Sequence, residues 1–67
     1  MRLKDYIREN DEDVKIYKTG RLIFEGKSKD FDNYDYLNYY IYNKVKYFDF
    51  TVITLDENIE NHYFDFN

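Results

Sequence analysis

The chain reads as an α+β domain, a short N-terminal helix packed on a small antiparallel sheet of four strands, or five if its last aromatic residues pair. Three observations carry that expectation. Leu3, Tyr6, Ile7 and Asn10 fall at the spacing of one helical face. Runs rich in β-formers follow at 14–17, 22–25, 39–47 and 51–55. The whole is 67 residues long and has no cysteine, so it is expected to form a single domain over 1–67 with one thin core and no disulfide or Cys-based zinc staple.

The elements can be justified in order. Residues 2–9 are expected to be helical, with Arg2, Lys4, Asp5, Arg8 and Glu9 facing water, and Asn10-Asp11-Glu12 ends the helix. Two turns of helix are unstable alone, so this one must dock. Asp13 to Glu25 reads as a hairpin. A two-residue loop, Thr19-Gly20, would set Val14 opposite Glu25. A three-residue loop, Lys18-Thr19-Gly20, sets Ile16 opposite Leu22 and Val14 opposite Phe24, gathers the apolar residues on one face, and is the preferred reading.

Gly26-Lys27-Ser28-Lys29 punctuates the chain, and 30–38 fits no period: a short helix, a turn and an irregular loop all remain open. From Tyr39 to Leu55 two strands joined near Asp49 are the simplest reading, and one long bent strand is the alternative. Residues 62–66 alternate again, as a last strand with Phe64 and Phe66 inward or as an exposed aromatic tail. The expected core is Leu3, Ile7, Val14, Ile16, Leu22, Phe24, Ile41, Val45, Ile53 and Leu55.

Composition narrows the function classes. Ten basic against fourteen acidic residues give a net charge of −4. Residues 1–20 balance five against five, and residues 21–67 hold five against nine, so the acidity belongs to the later two-thirds. That distribution argues against direct nucleic-acid binding and permits a basic partner surface. The N-terminus is charged at once and lacks the apolar core of a signal peptide, and no stretch approaches a membrane span, so the cytoplasm is the expected location. Nine tyrosines and six phenylalanines fit a recognition surface. They also fit AT-rich codon usage, since Asn, Lys, Ile, Tyr and Phe make up 35 of the 67 residues.

No catalytic, metal or cofactor signature is present. His62 is the lone histidine and has no ligand-spaced companion. No nucleophile elbow surrounds a serine or threonine, and Gly20 and Gly26 make no phosphate loop. Asp11-Glu12-Asp13 lacks the calcium-loop pattern and reads as a solvated turn.

The feature that bears on function is acidic residues interleaved with aromatics. Asp30, Asp32, Tyr34, Asp35 and Tyr36 form the first candidate partner-binding patch, and Asp56, Glu57 and Glu60 form a second. If extended, Asp30 and Asp32 would share a face roughly 6.7 Å apart, a row of charge that imitates phosphates before a nucleic-acid-binding site. The bland alternative is a solvated loop that keeps a Tyr-rich protein soluble.

The runs Leu3-Lys4-Asp5-Tyr6-Ile7, Asp13-Val14-Lys15-Ile16-Tyr17 and Leu22-Ile23-Phe24-Glu25-Gly26 resemble small proteins encoded by phages and mobile elements of AT-rich Gram-positive bacteria. The resemblance covers the first 26 residues by pattern and the rest by composition. It includes no diagnostic motif. It implies an inhibitor of the anti-CRISPR or anti-defence type, acting in a bacterial host cell on a basic nucleic-acid-binding protein such as a CRISPR effector. A second class is an assembly module in which Tyr40, Tyr42, Phe48 and Phe50 make a homodimer or add a strand to a partner. An enzyme would need a pocket and a perturbed group that the sequence does not offer.

Overall fold

The structure, a computed structural model, describes residues 1–56. In chain order it contains α1 (Leu3–Glu9), β1 (Asp13–Lys18), β2 (Arg21–Lys27), a 3₁₀ turn (Ser28–Asp30), α2 (Tyr34–Leu37), β3 (Ile41–Lys46) and β4 (Thr51–Leu55). A short helix on a four-stranded sheet is the α+β arrangement the sequence predicts. The reading of 62–66 as a fifth strand lies outside the described residues.

The sheet is mixed, which corrects the expectation of an antiparallel one. Its order is β2-β1-β4-β3. Two antiparallel hairpins lie side by side, and β1 joins β4 in parallel through pairs such as Val14 with Thr51 and Ile16 with Ile53. The sequence of β4, Thr-Val-Ile-Thr-Leu, explains its central place. It is the one strand without a charge, its inward residues are fully buried, and Val52 and Thr54 are half-buried on the other face.

α1 covers one face of this sheet. Leu3 and Tyr6 pack with Val14, Ile16, Phe31, Ile53 and Leu55 to form the buried core, while Ile7, Ile23, Phe24 and Ile41 close its margin. Two polar side chains are buried with them. The Ser28 hydroxyl donates to the Asn10 carbonyl at 2.7 Å and accepts from the Glu12 N–H, fastening the turn after α1 to the 3₁₀ turn. The Thr51 hydroxyl has no hydrogen-bond partner among the described residues. The C-terminus of α1 is closed by Lys29, whose Nζ donates to the Ile7 and Arg8 carbonyls at 3.0 and 3.1 Å, a cation where the helix dipole is negative.

Two expected core residues are exposed, and one device explains both. Leu22 pairs with Tyr17, whereas Phe24 pairs with Ile16, so Ile23 is an extra residue in β2. The bulge reverses the parity of the strand: Phe24 faces the core and Leu22 faces the uncovered side, 47% exposed. In β3, Ile41 pairs with Leu55 but Asn43 with Thr54, which makes Tyr42 the extra residue. Val45 therefore lies opposite Val52 on the uncovered face, and Lys44 and Lys46 fall on the helix side opposite Ile53 and Thr51.

These lysines lay their stems at the edge of the core and keep their charges in contact with polar or aromatic groups. Lys44 Nζ sits 5.0 Å from the Tyr6 ring centroid, and Lys46 Nζ donates to Glu12 Oε1 at 2.8 Å. The other oxygen of Glu12 accepts from the Tyr6 hydroxyl.

The hairpin loop also differs from the preferred reading. Lys18 pairs with Arg21, so the loop is Thr19-Gly20, and both residues have positive φ, 53° and 74°. This is the twist-matched two-residue hairpin geometry, and the bulge at Ile23 then sets Phe24 opposite Ile16 and Gly26 opposite Val14, a register that neither loop length gives alone.

Candidate interaction surface

The segment between the two hairpins carries the first candidate patch. Phe31 anchors it. Its ring is 7% exposed and meets Phe24 edge to face, centroids 5.1 Å apart. The flanking carboxylates of Asp30 and Asp32 point to solvent. Asn33 then caps α2, its side-chain oxygen accepting from the Asp35 N–H at 3.1 Å, because a short polar side chain offers the first turn an acceptor.

The row of charge expected from an extended chain does not form. Asp30 closes the 3₁₀ turn and Asp35 lies in a helical turn. What the fold gathers is a cluster: Asp30, Asp32 and Asp35 exposed within six residues, with Tyr34 79% exposed among them. None of the three carboxylates has an ion-pair partner among the described residues.

Tyr36 departs from this group. It is half-buried, packs against the core and leans on Tyr39 at 5.4 Å between centroids. Its outer side lines a cleft of about 300 Å³ with Lys18, Thr19, Arg21 and Ile23, so the surface beyond it is basic. Asp56 follows β4, where its N–H donates to the Tyr40 carbonyl. Glu57 and Glu60, the rest of the second candidate patch, lie outside the described residues, as does His62.

Charge is divided unevenly. All ten basic residues and eleven of the fourteen acidic ones lie in residues 1–56, which leaves the described part at −1 and assigns −3 to Glu57, Glu60 and Asp65. Any acidic surface on the described fold is therefore local.

A second exposed feature is aromatic. Of seven large apolar side chains exposed among the described residues, four belong to β3 and the loop after it: Tyr42, Val45, Tyr47 and Phe48. The Tyr47 and Phe50 rings stack at 5.1 Å and the Tyr47 N–H donates to the Phe50 carbonyl at 2.7 Å, which closes the loop and leaves Phe48 wholly exposed at its tip. The sequence pointed to Tyr42 and Phe48 as unpaired aromatics. It also pointed to Tyr40 and Phe50, but these are half-buried, the former beneath the Arg2 guanidinium at 4.7 Å.

Among the described residues no group of three or more His, Cys, Asp or Glu side chains is arranged to hold a metal ion. No helix there is long and apolar enough to cross a membrane. No protein-family model, curated protein or solved structure matches the chain.

Proposed function

We propose that this chain is a non-enzymatic interaction protein that inhibits a nucleic-acid-processing partner by covering a basic, phosphate-binding surface. The observation that carries the reading is that Asp30, Asp32 and Asp35, exposed and without an ion-pair partner among the described residues, fall within six residues of chain together with the exposed Tyr34, on a segment pinned by Phe31. Carboxylates without internal partners keep their full attraction for an external cation, and a tyrosine adds contact area at small entropic cost. A defence complex of the CRISPR-effector type is the concrete partner that the resemblance to phage-borne inhibitors suggests.

The test is capture of partners by the tagged protein from lysate of an AT-rich Gram-positive bacterium, followed by competition with duplex DNA. The expected result is a partner that duplex DNA displaces and that is lost as salt rises, because exposed charges are screened beyond about 8–10 Å at physiological ionic strength. Charge reversal at Asp30, Asp32 and Asp35 to Lys is expected to abolish capture and leave the fold intact. Undiminished capture by the triple variant would sink the reading.

A second reading is favoured by the exposed aromatic hairpin, which suits self-association. In that case the protein sizes as a dimer, independently of salt, and Phe48→Ser restores the monomer. The bulge at Tyr42 and the lysines at 44 and 46 weigh against simple strand addition along β3, since bulges and edge lysines oppose strand pairing.

A further inference from the structure

At the end of the sheet remote from the Thr19-Gly20 turn, the loop after β3 faces the uncovered side of β1 and β2 across a cleft of about 430 Å³ lined by Asp13, Lys15, Glu25, Gly26, Asp49 and Phe50. Its charges are nearly accounted for internally. Lys27 lies 3.7 Å from Asp13, and Lys15 lies 3.7 Å from Glu25. Asp49 has no ion-pair partner among the described residues. The wall already seats a cation: Lys15 Nζ lies over the Phe50 ring, 4.6 Å from its centroid.

We propose that this cleft is a seat for one arginine side chain of a protein partner. The chemistry follows from the lining. An aromatic face and one uncommitted carboxylate match a planar guanidinium, which stacks on a ring and donates to a carboxylate at the same time. Lys15 holds the ring in the free protein. The guanidinium takes the ring by displacing the Lys15 ammonium, which keeps the carboxylate of Glu25 3.7 Å away as its remaining partner. The carboxylates are too dispersed for a metal ion, which needs them converging. The inference deepens the reading of a basic partner and rests on that reading for the source of the arginine.

The test uses the isolated protein and a model compound. Nα-acetyl-arginine methylamide is titrated while backbone amide resonances are followed by NMR, with the citrulline analogue, equal in shape but neutral, as the control. Saturable shifts at Lys15, Gly26, Asp49 and Phe50 are expected with arginine and not with citrulline. Asp49→Asn is expected to weaken the arginine affinity about threefold, the effect of one exposed ion pair. Phe50→Leu is expected to weaken it as well, while the charge reversal at Asp30, Asp32 and Asp35 leaves it unchanged. Equal shifts with citrulline, arginine shifts confined to Asp30, Asp32 and Asp35, or indifference to both Asp49→Asn and Phe50→Leu would each overturn the proposal. The titration needs no partner, so its failure and the failure of the capture experiment are separate results.

Discussion

The contact between Phe24 and Phe31 holds the candidate acidic segment to the sheet, and its strength can be isolated. A 67-residue domain has a total stability of about 3–10 kcal/mol by the usual per-residue value. Truncating a buried Phe to Ala costs about 3–5 kcal/mol, which would unfold much of the population and obscure the contact. Leucine is the better probe, because it keeps an apolar side chain and removes only the ring.

The rings meet edge to face at 5.1 Å and 80°, a geometry that contributes about 0.5–1.5 kcal/mol beyond area burial. Phe31→Leu and Phe24→Leu are each expected to cost about 1–2 kcal/mol, the lost ring contact plus imperfect filling. The double variant is expected to fall short of their sum by about 1 kcal/mol. Urea unfolding of the four proteins measures this directly. Each kilocalorie also lowers the melting temperature by about 4–8 °C at this size. Strict additivity, a coupling within about 0.3 kcal/mol of zero, would refute the argument that the rings support one another.

Thr51→Val is expected to stabilise the protein by about 1–2 kcal/mol, because it replaces a buried hydroxyl that has no partner among the described residues with a methyl of the same shape; lower stability in chemical denaturation would show that the hydroxyl is satisfied. Thr19→Asn is expected to add about 0.5–1 kcal/mol, since a β-branched residue at φ 53° is strained and Asn tolerates the left-handed region; an unchanged melting temperature would remove the strain argument.

Helical spacing places α1, runs of β-formers place the four strands, and an aspartate disfavoured inside a strand marks the break near Asp49, where the structure decides for two strands over one long bent one. None of these signals could place the sheet order, because alternation tells a strand which face it buries and not which neighbour it has. The uncharged run of β4 was the available signal for a central strand. The bulges at Ile23 and Tyr42 were illegible for a different reason. Nothing in their local composition marks an extra residue, and each one inverts the faces of the residues beyond it, which is how Leu22 and Val45 came to be expected inside.

The helical spacing puts Tyr6 on the docking face but gives no sign that a tyrosine is buried as deeply as Leu3, and Phe31, between two aspartates in a stretch without a period, carries no core signal at all. The acidic segment was legible as composition, and its geometry was not: the charges cluster around a pinned turn instead of lining a strand.

The parallel seam between β1 and β4 has a consequence for the order in which this protein can come into being. The first hairpin is complete once residue 27 has been made, yet a two-stranded hairpin is marginal in water and α1 has only part of its platform. Ile53 and Leu55 supply the missing floor, and they are near the end of the described chain. During synthesis the nascent chain therefore carries its apolar stripe uncovered until β4 leaves the ribosome, and no shorter N-terminal piece can fold ahead of it. Cooperativity here is a property of the strand order: the last of the described strands is one of the two that lie in the middle of the sheet.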